Sequence, residues 1–264
     1  MPGMFRSLWL YRHFILSSIR NELVNRFVRS KLGGLWMIIN PLAQVVIYAL
    51  ILSNVLAAKL PGIDDKYAYA TYLMAGLLAW TLFSEIISRC LNLFIEQGNL
   101  MKKMSFPRIT LPVIVVGSNV LNNILLFISM LGVFAVLGHQ FTWVMLWLIP
   151  LTFSVVMLAV GIGLILGVLN VFIRDVGQVV PIIIQMWFWF TPIVYPDNII
   201  PKHYHHLLSL NPMHPIVHAY HQVLVYNQAP AFENIAIISI ISLILMILGL
   251  FLFRRASAEM VDVL

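Results

Sequence analysis

Residues 143–170 read WVMLWLIPLTFSVVMLAVGIGLILGVLN, a run without one charged side chain. A helix that crosses the hydrocarbon core of a bilayer needs about 20 predominantly apolar residues, and this run exceeds that. Working outward, further apolar runs lie at 36–58, 67–95, 110–137, 176–195 and 235–253, each close to or above the same length. The reading is an all-α membrane protein of six transmembrane helices. With 61% hydrophobic and only 10% charged residues, against an apolar share of roughly 45–50% in soluble domains, no stretch remains for a soluble catalytic domain. Residues 1–264 therefore form a single transmembrane domain, in which 36–195 carry spans one to five and 235–253 the last span.

The net charge of +6 does not point to nucleic acid, because the basic residues flank apolar runs rather than forming one patch. Twelve of the sixteen Lys and Arg fall in the N-terminal segment, in 96–109, in 171–175 and at the C-terminal end, whereas the alternate connections hold Lys59, Lys66 and Lys202. The positive-inside rule then places both termini in the cytoplasm. Residues 1–35 lack the apolar core and cleavage site of a secretory signal. Their apolar residues Phe5, Leu8, Ile15, Ile19, Leu23 and Phe27 recur near the helical period, which predicts an amphipathic helix at the cytoplasmic interface. Residues 196–234 form a long outward segment broken by Pro196, Pro201, Pro212, Pro215 and Pro230. Short re-entrant extracytoplasmic helices before the last span fit it better than another span, because proline interrupts the backbone ladder. The single cysteine, Cys90, lies inside an apolar run, so there is neither a disulfide framework nor a cysteine zinc site.

No phosphate loop GxxxxGK[ST], HExxH, GxSxG or GxGxxG occurs. The chain is thus read as non-enzymatic and free of its own cofactor, and ATP for any driven transport comes from another polypeptide. Glu85 and Arg89 stand four apart in the second span; each costs about 2.5–3.5 kcal/mol near a span centre. They read as an intramembrane ion pair, structural or with a gating or substrate role, unless Arg89 snorkels towards the cytoplasm. Polar residues fall in stripes at helical spacing: Asn40, Gln44 and Tyr48 in the first span, Ser118, Asn119, Asn122 and Asn123 in the third, Gln178, Gln185 and Trp189 in the fifth. Singly they suit interhelical hydrogen bonds, and together they suit the lining of a polar channel. The consecutive aromatics Trp187, Phe188, Trp189 and Phe190 point around the whole helix, so some face protein or lumen, where aromatic rings can stack on sugars. Six histidines crowd 203–221 (His203, His205, His206, His214, His218, His221), but no carboxylate or cysteine completes a ligand set in the sequence, so no metal site is expected. Residues 97–109, QGNLMKKMSFPRI, combine positive charge with the apolar Leu100, Met101, Met104 and Phe106. A solvated basic turn and a docking element for a cytoplasmic partner both fit; exposed apolar residues favour docking.

Five segments taken in order, SKLGGLWMIINPL (30–42), NLMKKMSFPRITLPV (99–113), NVFIRDVGQVVP (170–181), FTPIVYP (190–196) and LNPMHPIVHAY (210–220), resemble the permease subunit of ABC type-2 exporters. Within that class the chain is most similar to Wzm-type permeases, which export lipid-linked O-antigen or related surface polysaccharides. The resemblance implies a homodimer in the bacterial inner membrane, docked to two cytoplasmic ABC ATPase subunits that bind ATP and Mg. It implies a main coupling helix over Gly98, Asn99, Leu100, Met101, Lys102, Lys103, Met104, Ser105, Phe106 and Pro107, and a second contact at Arg174 and Asp175. It also implies a substrate polysaccharide on undecaprenyl diphosphate that moves through a channel, for which the polar stripes and aromatics give the candidate lining Asn40, Gln44, Tyr48, Asn119, Asn122, Asn123, Gln178, Gln185, Trp187 and Trp189. Membrane lipid is the remaining partner. Capsule, teichoic-acid, lipid or drug export are alternatives in the same class, and an enzyme acting on polyprenyl-linked sugars is the alternative of another class.

Overall fold

The decisive run is helical throughout, as a 3-10 turn at Trp143–Trp147 followed by the long helix α7, Leu148–Phe172. A computed structural model describes residues 2–25, 32, 35–51, 68–103, 106–136, 142–197, 201, 203, 206, 208, 210–257 and 259–263. Among these residues the chain is helical, with no strand. Two short helices, α1 (Pro2–Leu10) and α2 (Arg12–Asn25), precede α3 (Trp36–Leu50) and α4 (Ala68–Glu96). A short α5 (Gly98–Lys103) leads to α6 (Thr110–Val136). After α7 come α8 (Val176–Trp189), α9 (Met213–Leu224), α10 (Phe232–Ala256) and α11 (Glu259–Val263).

Four helices are long and apolar enough to cross a membrane: α4, α6, α7 with its leading turn, and α10. The first expected span is helical over Trp36–Leu50, and residues 52–67, which hold its remainder, lie outside the described residues. The fifth expected span, 176–195, is a helix only to Trp189. Its 14 residues reach about 21 Å at 1.5 Å each, short of the ~30 Å hydrocarbon core. The chain then bends, and partners outside the helix hold the carbonyls that follow. Tyr69 donates to the Val194 carbonyl at 2.5 Å and Tyr72 to the Tyr195 carbonyl at 3.2 Å. Pro192 has no N–H with which to continue the helical ladder.

The core is built on α7, which lies between α4 and α10. Without a hydrophobic driving force between helices in lipid, close backbone approach through small residues stabilises such contacts by dispersion. A Cβ on Gly167 would stand 2.4 Å from the Cys90 carbonyl oxygen of α4, and one on Gly161 would stand 2.5 Å from the Leu245 carbonyl carbon of α10. Hydrogen bonds join the same helices: Ser154 to Ser239 at 2.8 Å, and the Asn170 amide to the Leu91 carbonyl at 2.9 Å. The helix α9 packs against the segments where α4 and α7 begin, burying Met213, Ile216, Val217, Tyr220 and His221. Tyr220 meets Thr152 of α7, hydroxyl to hydroxyl, at 2.7 Å.

The expected interfacial helix forms as the pair α1 and α2, but its apolar stripe meets protein. Ile15, Ile19 and Leu23 are buried against Val113 and Ile114 of α6, while Trp9, Leu10 and Leu16 are exposed.

Candidate functional site

Two of the three polar stripes converge. Asn40 and Gln44 of α3 face Thr81 and Glu85 of α4 and Asn122 and Asn123 of α6 around a recess of about 220 Å³, with Trp36 at its wall. Helical spacing brings this about: Asn40 and Gln44 are one turn apart, as are Thr81 and Glu85. The Asn123 amide donates to the Leu78 carbonyl at 2.8 Å, fixing α6 to α4 at the recess. Asn119, one turn away, is buried, and its amide nitrogen and oxygen lack hydrogen-bond partners among the described residues. Tyr48, of the same α3 stripe, is half-buried.

The stripe on α8 lies elsewhere, on an exposed face where Gln178, Gln185 and Trp189 stand with Ile182 and Met186. Trp187 turns the other way. Its indole donates to Asn211 Oδ1 at 2.8 Å, and its ring meets Phe83 edge-on at 5.2 Å, so within this chain it packs α8 against α4 rather than lining open space.

Arg89 pairs with Glu22 of α2 and donates to Ser118 Oγ at 2.8 Å. The Glu85–Arg89 spacing had suggested a carboxylate from the same helix. The carboxylate that meets Arg89 comes from the amphipathic helix, and Glu85 faces the recess. A sequence signal for Glu22 existed, since it is the sole acidic residue before Asp64.

In the 97–109 connection, Asn99 and Lys102 are exposed and Leu100 is half-buried. Met101, expected among the docking contacts, is instead buried at 5% exposure, its side chain turned into the protein. Gly98 is also buried; Phe106 and Pro107 are half-buried. The side chain of Lys103 and residues Met104 and Ser105 lie outside the described residues. The Pro107 carbonyl accepts from the Thr110 backbone at 2.9 Å and from its hydroxyl at 2.8 Å, starting α6. Arg174 and Asp175 are exposed in the turn between α7 and α8.

At the opposite end the histidines do meet a carboxylate, which the sequence reading did not anticipate. Asp197 Oδ2 lies 3.3 Å from His214 Nε2 and 3.0 Å from His218 Nδ1, although Asp197 is the only acidic residue between Asp175 and Glu233. No metal-binding set of three occurs among the described residues. Burial pushes the Asp197 carboxyl upward, but hydrogen bonds and charge from His214 and His218 outweigh it and hold the group well below the usual carboxylate range. His221 is buried, stacked on Tyr72 with ring centroids 3.6 Å apart, and Gly76 gives it room. Burial takes its imidazole down to about 3 from 6.5, against the upward pull of Asp197.

These two groups respond to acid in different windows. As pH falls below 6.5 the unfolded chain protonates at His221 and the folded chain does not until about 3, so stability falls by up to about 1.4 kcal/mol per pH unit. The stabilising contribution of Asp197 is complete above the ordinary carboxylate value of about 4 and is lost only below it. Melting in detergent should therefore show a decline between pH 6.5 and about 4 that His221→Phe, which keeps a ring against Tyr72, flattens. An equal slope in the variant would contradict the assignment.

Glu85 and His221 do not meet at one reacting centre. Tyr72, on which His221 stacks, is 13 residues from Glu85 along α4, about 20 Å of helix.

Four helices long and apolar enough to cross a membrane, with a polar recess among α3, α4 and α6, define a multi-pass membrane protein. The chain belongs to the ABC-2 type transporter family, whose model matches residues 14–225. It is 28% identical to an O-antigen export system permease protein of Myxococcus xanthus over 99% of both chains, and 30% identical to one of Klebsiella pneumoniae over 92% of both. It is 24% identical to a polysialic acid transport protein of Escherichia coli, over 90% of this chain and 92% of that one.

Proposed function

We propose that the chain is the permease subunit of an ATP-driven exporter of an O-antigen-like polysaccharide, carried on undecaprenyl diphosphate across the bacterial inner membrane. The observation that carries this reading is the recess of Asn40, Gln44, Glu85, Asn122 and Asn123, a row of hydrogen-bonding groups inside spans whose other faces are apolar. A hydroxyl-rich polymer crossing hydrocarbon unaided would lose its hydrogen bonds to water, at roughly 2–7 kcal/mol per group. It therefore needs a continuous polar lumen. One copy supplies only half of such a wall, and a two-fold pair of copies places a lumen on the axis. The exposed face of α8 with Gln178, Gln185 and Trp189 is the remaining candidate lining, and the names of the relatives support the substrate class. Both termini are cytoplasmic in this reading. ATP and Mg are bound by two copies of a partner ATPase, which docks at the connection containing α5 and at Arg174 and Asp175.

Cells in which this chain carries Gln44→Leu with Asn122→Leu test it. Losing two hydrogen-bonding amides at about 1 kcal/mol each should lower polymer export roughly tenfold or more at unchanged protein level. Unaltered surface polymer would reduce these residues to packing. A polysialic-acid transport relative favours an acidic capsular polymer as the second reading, and the composition of the exported glycan decides between the two.

A further inference from the structure

The helices that flank the spans at either end of the chain converge on the connection between α4 and α6. On one side, Ile19 of α2 approaches α6 where Gly117 has no side chain; a Cβ there would lie 2.4 Å from Ile19 Cδ1. Glu22 pairs with Arg89 of α4, and Arg89 reaches on to Ser118 of α6. The Phe14 ring lies 6.1 Å from that of Phe106, just past α5. On the other side, Arg108 donates to the Ser257 carbonyl, and Met260 of α11 is fully buried where α11 meets α5 and α7.

A corner between two helices is soft by itself, because a few loop dihedrals absorb a displacement before the helices feel it. Contacts that tie both helices to a third element remove that freedom. The α2 helix makes three such ties: an apolar one to α6, an ionic one to α4 continued to α6, and an aromatic one to Phe106. The ionic tie is the directional one, since a guanidinium bonded to a carboxylate and a hydroxyl at once fixes the relative register of all three helices. It also relieves the cost of Arg89 inside a span, about 2.5–3.5 kcal/mol near the centre of an unpartnered helix.

We propose that α2 is a cross-brace that makes the α4–α5–α6 corner move as one body, with Glu22 and Arg89 as positioning residues that transmit the motion of the docked ATPase into the spans. This rests on the exporter reading above. Breaking the brace leaves docking intact and lets the corner yield, so ATP is hydrolysed without the spans following. The loss appears in polymer exported per ATP consumed, a quantity that a merely structural role would leave unchanged in the surviving complex.

The test uses the full complex of permease and partner ATPase reconstituted in vesicles, as wild type, Glu22→Gln, and the exchanged pair Glu22→Arg with Arg89→Glu. Glu22→Gln should retain partner and ATPase activity while export per ATP falls about fivefold or more, the low end of a coupling of 1–3 kcal/mol. The exchanged pair, which restores opposite charges, should recover most of that ratio. If Glu22→Gln fails to accumulate, the exchanged pair alone carries the test: a wild-type ratio supports the brace and a low one overturns it. An unchanged ratio in Glu22→Gln also overturns it. A wild-type complex that hydrolyses ATP without moving polymer defeats the exporter reading, whereas one that does both while Glu22→Gln matches it defeats the brace alone.

Discussion

Reversing two exposed charges, Lys102→Glu together with Arg174→Glu, is expected to strip the partner ATPase from the purified complex while leaving the permease folded. Both side chains are exposed, on the two short connections read as docking contacts, so their removal costs the fold little. Like charges placed opposite each other across an interface cost several kcal/mol, and about 2.8 kcal/mol is already a hundredfold in affinity. Copurification of the ATPase with the tagged chain should therefore fall about a hundredfold at low salt, with an unchanged elution profile for the permease. Retention of the partner in this double variant would remove these connections from the docking surface. Met101 is the contrasting position. Because it is buried, Met101→Glu places a charge in the interior and should lower protein level itself, so it says nothing about docking.

The second large effect lies in the packing of α7. Gly167→Leu is expected to prevent the protein from accumulating. The nearest atom to a new Cβ is the backbone oxygen of Cys90, 2.4 Å away, and the Phe94 ring edge follows at 3.2 Å. Backbone cannot swing aside as a flexible side chain can, so α4 and α7 must separate. That separation strains the Asn170 bond to the Leu91 carbonyl, one turn along the same contact. Overpacking commonly costs about 1–3 kcal/mol, and parting two helices costs more, a large share of a typical stability of about 5–15 kcal/mol. Gly132→Leu is the matched control: no atom of the described residues lies within 4 Å of its added Cβ, and its level should equal wild type. Equal membrane levels of the two variants would show that the Gly167 contact does not hold the helices together.

Much of the outline was legible because partition into a bilayer is a local property, summed residue by residue along a run. The uncharged stretch at 143–170 marks itself as a helix whatever surrounds it, and the same holds for α4, α6 and α10. The stripe Asn40, Gln44 and the stripe Asn122, Asn123 were legible as faces through helical spacing. That they face one another, with Glu85 between them, was not, because spacing within a helix carries no information about which neighbour it meets. The fifth run is helical over Val176–Trp189, short of its expected end at 195. Its composition is apolar to Tyr195, but Pro192 cannot continue the ladder, and tyrosines from α4, more than a hundred residues earlier, hold the Val194 and Tyr195 carbonyls that follow.

Arg89 and the outward histidines mark the boundary most sharply. Each needed a carboxylate: for Arg89 the nearest along the chain is Glu85, and for the histidines Asp197 stands 17 residues before His214 with no local spacing that ties the two. The structure supplied Glu22 and Asp197. By itself the sequence determined that the chain lives in a membrane, where its helices run and which faces are polar, since hydropathy and helical period act over a few turns. Tertiary structure alone decided which charges meet, where α9 returns to the bundle and how α2 grips the α4–α6 corner, because those contacts join residues far apart in the chain and depend on how the helices pack.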